Sequence, residues 1–127
     1  MSSLSSPSRL DMWQHLTEGQ LLVDVYERPD AVVLRSLLAG VRPEHIEIAL
    51  DKDLLTIRAH REETENIDEH RIIHRECYWG TFSRSVILPA HVQANAIKAL
   101  FKHGVLVVIL PKQDIQMVTV KTEEHFL

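Results

Sequence analysis

The feature that most constrains this chain is an alternation of apolar and polar residues with period two, cut at short intervals by turn-forming residues. Ile46, Ile48 and Leu50 alternate with Glu47 and Ala49, the turn Asp51-Lys52-Asp53 follows, and Leu55, Ile57 and Ala59 then alternate with Thr56 and Arg58. Successive side chains of a strand point to opposite faces, so this pattern predicts strands with one buried face. The same reading extends along the chain. Leu21, Val23 and Val25 alternate before the turn Arg28-Pro29-Asp30, residues 31–38 are rich in Val and Leu, and Gly40 to Glu44 break the run. Residues 61–69 are polar and acidic and predict a loop, and residues 70–76, with Ile72 and Ile73 at their centre, predict a short strand. Phe82, Val86 and Leu88 mark a further strand that ends at Pro89, and residues 97–101 are short and apolar. His103-Gly104 is a hairpin signal because glycine accepts positive φ. Residues 105–110 are apolar at every position, which predicts burial on both faces, and Pro111 removes a ladder donor and ends the strand.

Seven or eight short strands, with helical hints only near residues 10–16 and 92–96, predict an all-β chain built as an immunoglobulin-like antiparallel β-sandwich. A length of 127 residues suits one such domain. The net charge of −4 and the absence of a basic stripe with interleaved aromatics give nucleic acid no footing. No apolar run approaches the roughly 20 residues of a membrane helix. The start Met1-Ser2-Ser3-Leu4 lacks the basic and apolar regions of an export signal, and the single cysteine, Cys77, cannot form an internal disulfide. A cytoplasmic location is the expectation.

Few residues suggest chemistry. His70 and His74 share a face if their segment is a strand, but zinc needs three or four converging ligands and no second cluster supplies them. Cys77 lacks the local partners of a nucleophile. Glu62, Glu63, Glu65, Asp68 and Glu69 lack the glycine and spacing of a calcium loop. No glycine-rich phosphate loop is present. The expectation is a protein without cofactor, metal or catalytic residue.

Three stretches carry a resemblance. The first is Asp24-Val25-Tyr26-Glu27 with Ala31-Val32-Val33-Leu34-Arg35 and Leu38-Ala39-Gly40-Val41-Arg42-Pro43. The second is Gly80-Thr81-Phe82-Ser83-Arg84-Ser85, leading into Leu88-Pro89. The third is Ala99-Leu100-Phe101-Lys102-His103-Gly104-Val105-Leu106, ending at Leu110-Pro111-Lys112. In this order and spacing the chain resembles the small heat-shock proteins, over about residues 21–112. It departs from them at Ala39, where the family usually has Pro, and at Cys77, where it often has an interface Arg. The segment before Leu21 is also short.

The resemblance implies an alpha-crystallin domain at 21–112, an arm at 1–20 and a tail at 113–127. It implies a holdase that binds unfolding proteins without ATP and prevents their aggregation, working as a homodimer or larger oligomer. The alternative is a sandwich adaptor or co-chaperone with one defined partner. Leu4, Leu10, Met12, Trp13 and Leu16 of the arm are the expected client contacts, with Leu10, Trp13 and Leu16 three apart. A groove is expected from Ile46, Ile48, Leu50, Ile97, Leu100 and Phe101. The resemblance further implies that Arg71, Ile72, Ile73, His74, Arg75 and Cys77 form a strand exchanged with a partner subunit. In the tail, Val118 and Val120 lie two apart and point the same way when extended, resembling the family's docking motif. Ile115 and Met117 offer a competing register.

Overall fold

The computed structural model describes residues 18–114 and 118–124. Its strands are β1 (Gly19–Gln20), β2 (Val23–Glu27), β3 (Ala31–Leu37), β4 (Ile46–Asp51), β5 (Leu54–Arg61), β6 (Gly80–Ile87), β7 (Lys98–Lys102) and β8 (Val105–Pro111). They form two four-stranded sheets, ordered β1-β6-β5-β4 and β2-β3-β8-β7. All pairs are antiparallel except β1 with β6, where Gly19 and Gln20 run parallel to Phe82 and Ser83.

The period-two pattern sorts the faces of β5 as expected, and β8 shows the same alternation of burial. In β5 and β8 alternate residues are buried: Leu55, Ile57 and Ala59 in one, Leu106, Val108 and Leu110 in the other. With Val32, Leu34, Leu21, Leu38 and Phe82 they make one core between the sheets. Among the described residues Ser36 is the buried polar one, and its hydroxyl donates to the Leu22 carbonyl at 2.8 Å, which removes the penalty of an unmade bond.

Two expectations change. Residues 105, 107 and 109 of β8 are half-buried rather than buried, because a two-layer sandwich has no third layer to cover its outer faces. Residues 70–76 form no strand within this chain; a 3-10 turn, Glu69–Arg71, overlaps their start. A strand needs a neighbour to pair with, and among the described residues of this chain none pairs with residues 70–76, since the chain leaves the sheet between β5 and β6. Gly19–Gln20, read from sequence as arm, already belong to the sandwich.

The β7–β8 hairpin turns at His103-Gly104, both with positive φ (53° and 76°). A Cβ on Gly104 would sit 3.2 Å from the Ala39 Cα. Gly104→Ala is therefore expected to cost about 1–2 kcal/mol from the left-handed backbone alone. Chemical denaturation of the two proteins measures the difference.

Candidate functional site

The site residues expected from sequence fall into four places. Those of the arm, Leu10, Met12, Trp13 and Leu16, lie outside the described residues, as do Ile115 and Met117 of the tail.

The groove residues surround one border of the core. Ile46, Ile48 and Leu50 project from β4, half-buried and packed against the core, and Ile97 and Phe101 do the same from the β7 side. Leu100 is not among them. It pairs with Val107, whose neighbours Leu106 and Val108 are the inward residues of β8, so Leu100 looks outward and is 56% exposed. Pleating sends neighbours to opposite faces, and the sequence reading counted both faces of β7 as one. Among the described residues β4 pairs only with β5. Its other edge thus offers backbone donors and acceptors beside a row of apolar side chains. The outward residues there are Glu47, Ala49 and Asp51.

Residues 62–79 leave the sandwich at the end of β5 and return at the start of β6. Their stem is closed by Arg61, whose Nε donates to the Ala39 carbonyl at 2.7 Å and whose Nη1 donates to the Tyr78 carbonyl at 3.1 Å. The same guanidinium lies 4.7 Å from the centroid of the Phe82 ring. Tyr78 extends the network: its hydroxyl donates to the Thr81 carbonyl at 2.6 Å and accepts from the Gly19 N–H at 2.9 Å. Sequence reasoning missed Arg61 and Tyr78, since neither belongs to an alternating run. A basic residue at the end of a long loop's first strand was the available signal.

Further out, Arg75 grips Glu63 with two bonds, 2.8 and 3.0 Å. That hydrogen bond holds the Glu63 carboxyl below its ordinary pKa and raises that of Arg75. Beyond this clasp Ile73 is 99% exposed, Cys77 is exposed and His74 bonds Glu76. His70 sits in the 3-10 turn, its N–H bonded to Asp68. Among the described residues no three metal-capable side chains converge, and no helix is long and apolar enough to cross a membrane.

The tail stays on the sandwich as far as Gln113. Val92 and Lys112 form an isolated bridge, and the Gln113 N–H donates to the His91 carbonyl at 2.9 Å. Val118 and Val120 are 85% and 92% exposed. From sequence the tether runs from Pro111, seven residues or roughly 23 Å to Val118. Anchoring at Gln113 leaves five, or about 17 Å.

A family model described as the Hsp20/alpha crystallin family matches residues 24–124. The small heat shock protein C2 of Rickettsia felis is 34% identical over 77% of this chain and 65% of its own length. The C4 protein of the same organism is 33% identical over 72% of this chain and 56% of its own length. This chain thus spans less than two thirds of either relative. The solved structure of heat shock protein 16.0 from Schizosaccharomyces pombe is 31% identical, superposes with a TM-score of 0.67, and covers 82% of this chain and 100% of its own.

A lowered Glu63 pKa means the clasp with Arg75 holds above the ordinary glutamate value of 4.5 and is lost only as the pH falls through the lower, folded value. Glu63→Gln removes the charge at every pH. Amides of residues 64–74 are expected to exchange with solvent severalfold faster at pH 7 in that variant, and at pH 4.5 to differ still from the parent protein. Hydrogen exchange with mass readout checks both.

Proposed function

We propose, from the premise that this chain belongs to the Hsp20/alpha crystallin family, that it is a holdase: it covers apolar surface on unfolding proteins without ATP and so prevents their aggregation. Membership of a family of small heat shock proteins implies a chaperone role. The observation that carries the finer reading is the β4 border. A backbone edge with no strand on it lies beside Ile46, Ile48 and Leu50, flanked by Ile97 and Phe101. An extended apolar segment of another chain can add there as a strand, its backbone pairing with β4 and alternate side chains meeting the apolar row. Such recognition depends on few sequence details, which suits a binder of many unfolded partners. The apolar arm residues Leu10, Met12, Trp13 and Leu16 add client surface. At about 25 cal/mol per Å², covering a few hundred Å² contributes several kcal/mol before the entropy of association.

In this reading the chain works as a homodimer that assembles further. Arg71, Ile72, Ile73, His74, Arg75 and Cys77 pair with the free edge of the partner's β2. Support comes from the exposure of Ile73 and from the absence of any strand of their own chain beside residues 71–77. Val118 and Val120 dock on the β4 border of a neighbouring subunit and compete there with clients.

Light scattering during heating of an unrelated client protein, without nucleotide, tests the central claim. Aggregation should be suppressed at a subunit excess, and superimposable curves with and without the protein would falsify it. The tail is tested by replacing Val118 and Val120 with glycine. The variant is expected to keep its fold by circular dichroism and to shift toward dimers in sedimentation, while an unchanged mass overturns the docking.

A further inference from the structure

Where β4 begins, the outer face of its sheet brings two histidines together. Ile46 and Ala59 form the last paired rung of β4 and β5, and His45 and His60 stand one step beyond it. His60 points outward because its neighbour Ala59 is buried in the core. His45 meets it there from the end of the 3-10 turn Pro43–His45, which the His45 N–H closes by donating to the Arg42 carbonyl at 2.9 Å. The two rings lie edge to face with centroids 5.9 Å apart. His60 Nδ1 is 2.9 Å from the Thr81 hydroxyl of β6. His45 Nδ1 is buried and has no hydrogen-bond partner. Both rings line a concavity of about 290 Å³, together with Glu44, Glu47, Arg58 and Thr81.

We propose that these two imidazoles chelate a zinc ion. Imidazole suits zinc, with Zn–N bonds of about 2.0–2.1 Å. A ring centroid then stands roughly 3.2 Å from the ion, and two rings at a tetrahedral angle have centroids roughly 5.2 Å apart. The observed 5.9 Å is close enough for side-chain rotation to bridge the difference. Thr81 supplies what a ligand histidine needs behind it. A zinc-bound ring donates its second N–H to an oxygen, which fixes the tautomer and aims the ring. With His60 Nδ1–H donating to Thr81, Nε2 is the ligand atom. At His45 no such tie holds Nδ1, and a buried nitrogen without a bond is destabilising. Turning the ring about its side-chain bonds presents a nitrogen to the concavity, where coordination replaces the missing bond. Charge also favours a cation. Arg58 stands opposite Glu47 but is held by Glu18 at 3.3 Å. The ion pairs among the described residues leave Glu44 and Glu47 out. No three metal-capable side chains converge among the described residues, so the ion keeps open positions for water or for one of these carboxylates. A hairpin separates the two histidines in sequence, so no ligand spacing announces them. The site also faces away from the core-directed Ile46, Ile48 and Leu50, and it stands independently of the holdase reading.

Titration calorimetry of the full chain with zinc chloride, in a buffer that does not chelate, is expected to show one ion per chain. His45→Gln and His60→Gln each remove a donor and are expected to weaken binding by at least about tenfold, the least that loss of even an outer partner costs. Thr81→Val keeps both imidazoles and removes the bond behind His60, and a loss of about tenfold is expected there too. Circular dichroism without zinc checks that each variant keeps its fold. Nitrogen spectra of the histidine rings read the site in the parent protein without any substitution: two of the eight histidines should shift on zinc addition. Binding that survives either histidine change, as it would if His70, His74 or Cys77 held the ion, overturns the proposal. So does an unchanged affinity in Thr81→Val, or a parent protein that takes up no zinc.

Discussion

The contact between two apolar rows governs the rest of this molecule. Val32 and Leu34 of β3 and Leu106, Val108 and Leu110 of β8 meet Leu55 and Ile57 of β5, with Phe82 of β6 at one end. Each fully buried side chain of this size contributes about 1.5–3 kcal/mol relative to exposure, so no other register of these strands competes. Once the rows face each other, the direction of every remaining side chain on the eight strands follows from the pleat. Leu37 and Leu100 are turned outward for no reason of their own, as neighbours of inward residues. Ile46, Ile48 and Leu50 fall at the border, where half of each side chain touches the core and half is left over.

A two-layer sandwich also leaves edges. Exposed edges invite indiscriminate pairing, and folded proteins guard them with charge or cover. Here β4 presents Glu47 and Asp51 outward, and β7 presents Lys98 and Lys102. The two edge strands that flank the apolar border therefore carry opposite charge. The short parallel strand β1 covers the side of β6 near the entry of the chain. Guarding is partial at β4, where the charges alternate with an apolar row that still faces along the border. Partial guarding suits reversible binding: full charge would repel an apolar segment, and none would hold it permanently.

Much of the sandwich was legible in the sequence because alternation reports burial directly. The β4–β5 hairpin and the inward residues of β5 follow from it, and the His103-Gly104 turn follows from glycine between two apolar runs. What escaped has physical reasons. β8 is apolar at every position, and such a run does not say how much its outer face is covered; that depends on whether a third layer exists. The segment at residues 70–76 has the propensity of a strand in Ile72 and Ile73, but propensity does not say which edge it pairs with, and within one chain it pairs with none of the described strands. Leu100 was grouped with Phe101 by nearness in sequence, although period two separates them. Arg61 and Tyr78 act through backbone carbonyls and an aromatic face, and such contacts leave no periodic trace. The parallel β1–β6 pair spans two residues, too few for any pattern.

The loop at residues 62–79 shows how the fold and the proposed assembly divide the work. Arg61 ties its stem with bonds to two carbonyls and a ring, so the positions where the chain leaves and re-enters the sheet are fixed. The Glu63–Arg75 clasp is different in kind. Its partners remain partly in water, 27% and 38% exposed, and an ion pair so placed is weak and screened by salt. A rigid stem under a weak clasp lets the distal part reorganise without disturbing the core. Moving residues 71–77 onto another subunit would then break only the clasp and the bonds of one 3-10 turn, against a row of backbone bonds gained along β2. Arg75 sits inside the segment that would move, so the move would carry one partner of the clasp with it.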